Sequence, residues 1–250
     1  MDIAQIRSYF NDPRTVEHYL KAVANIGLWE SEKAVFAKYF NPHETILDLG
    51  CGAGRIALGL AKLGYHRVFG GDLAEGMIAQ AREIGVILGL EVAFSRQDAT
   101  CLEFEDETFD GIVFGFNGLM QIPLRDNRRK ALSEIWRVTR PGGHFVFTTL
   151  DREDRLYESV FKDESNFEHD PKRNPDVLEY GDRHFETAHG TTFMHVPTRV
   201  EVSEDLERCG WQGVEDRMRS EIVSERPEVE AFSEDCRFWV AKKPTSETPA

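Results

Sequence analysis

The sequence predicts an α/β fold built on a doubly wound, mostly parallel sheet. Three observations predict it. Residues 45–61, TILDLGCGAGRIALGLA, pass from an apolar stretch through Gly50, Gly52 and Gly54 into a helix-favouring segment. A buried strand, glycine turn and helix start of this kind receives a nucleotide-like ligand. Short apolar runs then alternate with helical segments as far as Thr149, which indicates repeated strand–helix units. Asp72 ends the second apolar run, close to the ~20 residues past the first glycine at which an acid meets ribose hydroxyls.

The 250 residues include 41% hydrophobic side chains and carry a formal charge of −14. This supports a sizeable core, which we read as one domain over 1–243, followed by a polar, disordered tail at 244–250. The acidic balance argues against a nucleic-acid partner, because that affinity rests on Lys and Arg neutralising phosphates. No run approaches the ~18 apolar residues of a membrane span. The first residues, MDIAQIRSYF, lack a charged-then-apolar leader pattern. Cys51, Cys101, Cys209 and Cys236 form no C-x-x-C pair, so neither a zinc site nor a disulfide framework is suggested. A cytoplasmic protein is expected, as a monomer or homodimer.

Residues 1–43 read as helices. Asp2 caps the first, Asn11-Asp12-Pro13 restarts the second, and Ser31 caps a third over 32–40 that Asn41-Pro42 stops. The first strand and glycine turn follow. The turn departs from a dinucleotide-binding loop in two ways: its third glycine position is Arg55, and an acid, Asp48, stands two residues before Gly50. A carboxylate there is awkward beside a pyrophosphate and useful beside an ammonium group. Asp48-Leu49-Gly50-Cys51-Gly52-Ala53-Gly54 resembles, position for position, the E/D-x-G-x-G-x-G motif of class I S-adenosylmethionine (SAM) dependent methyltransferases. Further motifs follow in that family's order. Asp72-Leu73-Ala74-Glu75-Gly76-Met77-Ile78 is similar to its D-x-S-x-x-M-L run, and Asp98-Ala99 to the D-A/D-A after the third strand. Residues 102–110 resemble L-P-F-x-D-x-x-F-D with Glu103 for proline, and residues 137–144 resemble the L-K-P-G-G turn before the fifth strand.

The resemblance implies seven strands, mostly parallel with an antiparallel last strand, an N-terminal helical lid at 1–43 and an acceptor-side insertion at 151–199. It implies SAM as cofactor. Asp48 would sit near the methionine ammonium, Gly50, Cys51, Gly52, Gly54 and Arg55 along the methionine moiety, and Asp72 on the ribose. Leu73 and Met77 would flank the adenine, with helix-core packing as the second reading for Met77. Asp98 and the Ala99 amide would meet its edge. Phe116 is placed at the methionine end. Tyr19 and Trp29 belong to the lid, either over the pocket or packing the lid on the core.

Helix 125–138 carries Arg125, Arg128, Arg129 and Lys130, read as a solvated face. The loop after the fourth strand lacks the N/D-P-P-Y/F and Pro-Cys motifs of nucleic-acid methyltransferases, and Asn117 in it is a candidate to hydrogen-bond acceptor or donor. In the insertion, 178–181 and 191–196 read as a small hairpin. His184, His189 and His195 fall close together without metal-ligand spacing. His195 is the candidate acceptor-orienting residue, with strand packing as its other reading. Ser203 caps a helix over 204–209. A strand within 211–223 and another at 237–242 complete the sheet. The expected activity is in-line methyl transfer to oxygen or nitrogen of a small molecule. Alternatives are a protein or tRNA methyltransferase, a nicotinamide-dependent oxidoreductase, which Arg55 and Asp48 disfavour, and a non-catalytic SAM-binding protein.

Overall fold

The computed structural model describes residues 1–157, 160–161, 177–187 and 190–245. The chain begins with helix α1 (Ile3–Asn11), helix α2 (Pro13–Asn25) and helix α3 (Glu30–Tyr39). Asp2 and Gln5 cap α1 reciprocally, each side chain accepting the other's backbone N–H at 2.8 Å. Asp12 caps α2, with Pro13 at its first position. The third helix starts two residues earlier than expected, with Ser31 inside it. Its free N–H groups are satisfied from elsewhere: Glu32 accepts that of Trp29 at 2.9 Å, and Glu225 accepts those of Glu30 and Ser31.

The alternating part comprises β1 (Thr45–Leu49), α4 (Arg55–Lys62), β2 (Arg67–Asp72), α5 (Glu75–Leu88), β3 (Ala93–Arg96), β4 (Phe109–Phe114), a 3-10 turn (Gly118–Gln121), α6 (Arg125–Val138) and β5 (Thr139–Thr149). All five residues of β1 are buried, as expected for a parallel strand covered on both faces. Ile46 joins a core with Phe36, Leu58 and Ile78, whereas Leu47 and Leu49 join another with Leu132, Ile135 and Phe147. Helices therefore cover both faces, as the sequence predicts.

After the insertion's hairpin, β6 (Asp182–Thr187) and β7 (Gly190–His195), come α7 (Arg199–Arg208), β8 (Gln212–Met218), α8 (Arg219–Ile222), α9 (Pro227–Phe232) and β9 (Arg237–Lys242). The sheet has seven strands in the order β3-β2-β1-β4-β5-β9-β8. Its first five are parallel, and β9 runs antiparallel to both neighbours. The order reverses between β1 and β4, so a crevice opens beyond their carboxyl ends, where open α/β sheets bind ligands.

The hairpin exists, but its first strand starts four residues later than expected, directly after 178–181, with Asp182 opposite His195. His189 and residues 162–175 of the insertion lie outside the described residues, as do the last five residues of the expected tail. The helix expected from Ser203 begins at Arg199, because the Thr198 hydroxyl caps it by accepting the Glu201 N–H at 3.1 Å. The expected solvated face of α6 is also corrected. Arg128 is buried and pairs with Glu179, while Arg125 and Arg129 both grip Asp205 on α7. Among the described residues, no helix is long and apolar enough to cross a membrane.

Candidate functional site

The crevice holds a cavity of about 140 Å3. Most of it is apolar, but three carboxylates enter it in order across adjacent strands: Asp48 from β1, Asp72 at the end of β2 and Asp98 after β3. The glycine turn brings bare backbone between the first two. Gly50 has φ +67°, and a Cβ there would lie 2.5 Å from the Phe114 ring, so only glycine fits on both counts.

Each acid is fixed by backbone donors. Asp48 accepts the Ala57 N–H of the first turn of α4 at 2.9 Å. Asp72 accepts the Gly52 N–H on one oxygen and the Ala74 N–H on the other, both at 2.8 Å. It thereby holds the glycine turn against the end of β2. Asp98 accepts the N–H and hydroxyl of Thr100 at 2.9 and 2.8 Å. Burial pushes the Asp48 carboxyl up to about 8, against the Ala57 N–H and the Arg55 charge, which favour its ionised form. Burial also raises Asp72, opposed by the amides of Ala74, Gly52 and Leu73. The Cys51 thiol and the Tyr19 hydroxyl are likewise raised by burial.

Of the residues expected around a cofactor, Asp48, Gly50, Cys51, Gly52, Arg55, Asp72, Leu73, Met77, Asp98, Ala99, Phe116 and Tyr19 all line this cavity. Gly54 and Trp29 do not. Gly54 sits at the helix start with φ +92°, and a Cβ there would press on Leu58, Phe94 and Ala81 at 3.0–3.3 Å. Its part is to bring α4 close to its neighbours. Trp29 is fully buried behind Phe116, with ring centroids 6.0 Å apart. The guanidinium groups of Arg55 and Arg219 lie 4.9 and 5.1 Å from its ring. The charged end of Arg55 is taken up by both oxygens of buried Glu32, at 2.6 Å each, and by the Gly27 carbonyl at 2.8 Å. The residue that replaces the third glycine thus fastens the N-terminal helices to the ligand loop.

The two candidate catalytic residues stand outside the cavity lining. Asn117 is buried, has φ +60°, and donates its backbone N–H to the Thr148 hydroxyl at 2.9 Å. Its side-chain oxygen has no partner among the described residues. His195 is buried at the base of the hairpin. Its Nδ1 lies 2.8 Å from Asp182 and its Nε2 2.8 Å from Glu201. Arg152 and Arg128 both pair with Glu201, and Arg128 pairs also with the neighbouring Glu179. Burial alone would raise Glu201, but the His195 hydrogen bond and the two arginines hold it down at about 2. With both ring nitrogens committed, His195 has no free atom for an acceptor. These contacts fit the strand-packing reading of His195. Glu179, Asp182 and His195 also come within metal-binding reach of one another. Their atoms are already occupied, however, and the Arg128 guanidinium would repel a cation.

Sequence reasoning missed part of the lining. Phe232 enters from α9, and Ile3, Ile6 and Phe10 from α1. Pro227, at the first position of α9, is the signal that marks that helix. Nothing local marks Phe232 as reaching the cavity.

Residues 46–143 match the family model described as "Methyltransferase domain". A demethylmenaquinone methyltransferase from Bacteroides fragilis is 32% identical over 158 residues, 61% of this chain and 62% of its own length. The chain thus matches less than two thirds of that relative. The eEF1A lysine and N-terminal methyltransferase of Homo sapiens is 28% identical over 133 residues, covering 50% of this chain and 19% of the human protein. The solved structure of a SAM-dependent methyltransferase from Methanosarcina mazei superposes with a TM-score of 0.69 at 23% identity, over 88% of this chain and 100% of that one.

Proposed function

We propose that the chain is a class I SAM-dependent methyltransferase, a reading supported by the methyltransferase-domain match over residues 46–143, and that it transfers the methyl group of SAM to an oxygen or nitrogen of a small-molecule acceptor. One observation carries this reading: three carboxylates and a bare glycine backbone line one cavity in the order that ammonium, ribose and adenine require. SAM supplies an electrophilic methyl on a sulfonium. The chain's part is to hold and aim it.

In this reading Asp48 pairs with the ammonium and the turn from Gly50 to Gly52 lies along the methionine chain. Asp72 keeps acceptor capacity for the ribose hydroxyls while holding the Gly52 amide. Asp98 and the Ala99 amide read the adenine, with Leu73 and Met77 on its faces. Phe116 and Tyr19, whose ring centroids are 6.2 Å apart, offer aromatic surface to the sulfonium charge. Alignment of donor and acceptor supplies most of the rate effect.

A small acceptor is supported by the cavity's enclosure by α1 and α9 and by the name of the Bacteroides relative. The human relative favours a protein acceptor as second reading; its match covers half of this chain. The test is transfer of label from methyl-labelled SAM into small-molecule and protein fractions of a cell extract. Label in the small-molecule fraction supports the proposal. Label confined to protein favours the second reading, and SAM binding without transfer favours a non-catalytic SAM-binding protein.

A further inference from the structure

The carboxylates of the cavity all stand on the donor side, in β1, at the end of β2 and after β3. The facing wall comes from other elements: the N-terminal helices, the chain between β4 and α6, and α9. Ile3, Ile6, Phe116, Ile122 and Phe232 contribute to it, whereas Phe10 packs with Met77 and Ala74. Two rings stack along it, Phe116 on Phe232 at 5.1 Å. Among the described residues, no lining side chain from these elements is charged.

The cavity's polar side chains are mostly committed. Gln97 donates to Ser95 and accepts from the Glu103 N–H, the Thr100 hydroxyl donates to Asp98, and Arg55 is held by Glu32. The Tyr19 ring lies against Gly52, on the donor side. Gln121 differs. It closes the 3-10 turn Gly118–Gln121, is half-buried on the facing wall, and its side-chain amide makes no hydrogen bond to the described residues. An amide both donates and accepts, so it can hold a carbonyl or a hydroxyl.

We infer that this wall seats an uncharged, largely apolar acceptor, an aromatic or fused ring bearing a hydroxyl or carbonyl oxygen, and that Gln121 is the specificity-determining residue that reads that oxygen. The inference rests on the methyltransferase reading above. An ionic acceptor would lose its hydration and find no opposite charge on this wall. An anion would also face the three donor-side carboxylates.

The test uses the full chain saturated with S-adenosylhomocysteine, titrated with four probes: 1-naphthol, naphthalene, 1-naphthoate and 1-naphthylmethylammonium. The expected order places 1-naphthol first, naphthalene about fivefold weaker for one lost hydrogen bond, and both ions at least about tenfold weaker. The cationic probe matters because the rings could attract it. Gln121→Leu and Gln121→Met should equalise 1-naphthol and naphthalene and leave S-adenosylhomocysteine affinity unchanged. Either ion binding as tightly as 1-naphthol, or a preserved fivefold preference in both variants, overturns the inference. Failure of the wild-type chain to bind S-adenosylhomocysteine would overturn the methyltransferase reading itself.

Discussion

At the scale of single residues, the buried acids make the sharpest predictions. Asp48 is 1% exposed, and burial lifts its carboxyl to about 8. Below that pH the ligand-free protein holds it protonated, while an ammonium partner requires it ionised. SAM affinity should therefore rise with pH and level off near pH 8, losing up to about tenfold per unit below it. Asp48→Asn should flatten the profile. Calorimetry showing a flat wild-type profile between pH 6 and 8.5 would remove Asp48 from the ammonium. The sign for stability is the reverse. A raised carboxyl contributes fully below its unfolded value of 3.8, and that contribution is lost as pH rises toward 8. Asp72→Asn keeps the shape of the side chain but removes the charge, and should cost SAM binding about 1–3 kcal/mol.

At the scale of elements, two buried ion networks join parts of the chain that are distant in sequence. Glu32 and Arg55 tie α3 to α4. Removing one partner leaves an uncompensated buried charge, so Glu32→Ala should cost roughly 3–5 kcal/mol of stability in denaturant unfolding. A loss under 1 kcal/mol would contradict that role. Asp182, His195 and Glu201 tie the hairpin to α7. His195→Ala should lower stability on the order of 3 kcal/mol, because two carboxylates remain facing each other, yet leave SAM affinity unchanged. Unchanged stability with reduced turnover would restore the acceptor-orienting role. Glu201, held at about 2, contributes stability above its ordinary 4.5 and loses it as pH falls toward 2. Acid unfolding followed by circular dichroism should therefore be shallower in Glu201→Gln.

These elements also show what local sequence conveys. The expected α6 over 125–138 and last strand over 237–242 match the observed Arg125–Val138 and Arg237–Lys242, because periodicity and neighbouring turns alone set them. The glycine turn and its acids were legible as motifs in the order a known family keeps, although the contact of Asp72 with Gly52 spans 20 residues. The start of α3 was not, because Glu225 caps it from 195 residues away. Nor was the burial of Arg128, whose partners Glu179 and Glu201 belong to the insertion and α7. His195 reads as a free histidine until the fold places a carboxylate on each ring nitrogen.

At the scale of the molecule, one cavity at the sheet's switch point gathers two kinds of lining. The strand ends from β1 to β3 supply charge and hydrogen bonds, while the N-terminal helices and α9 supply an apolar wall. Fastening by Arg55 couples the two, so SAM should stabilise the chain as a unit, with the melting temperature rising with ligand concentration. The central claim is that the three carboxylates and the glycine turn form a SAM cradle. Titration calorimetry of SAM into the wild-type chain and Asp72→Asn at pH 8 tests it most directly. A SAM cradle predicts one-site binding to the wild-type chain and affinity at least about fivefold weaker in the variant. No binding to the wild-type chain, or equal affinity in both, would contradict it.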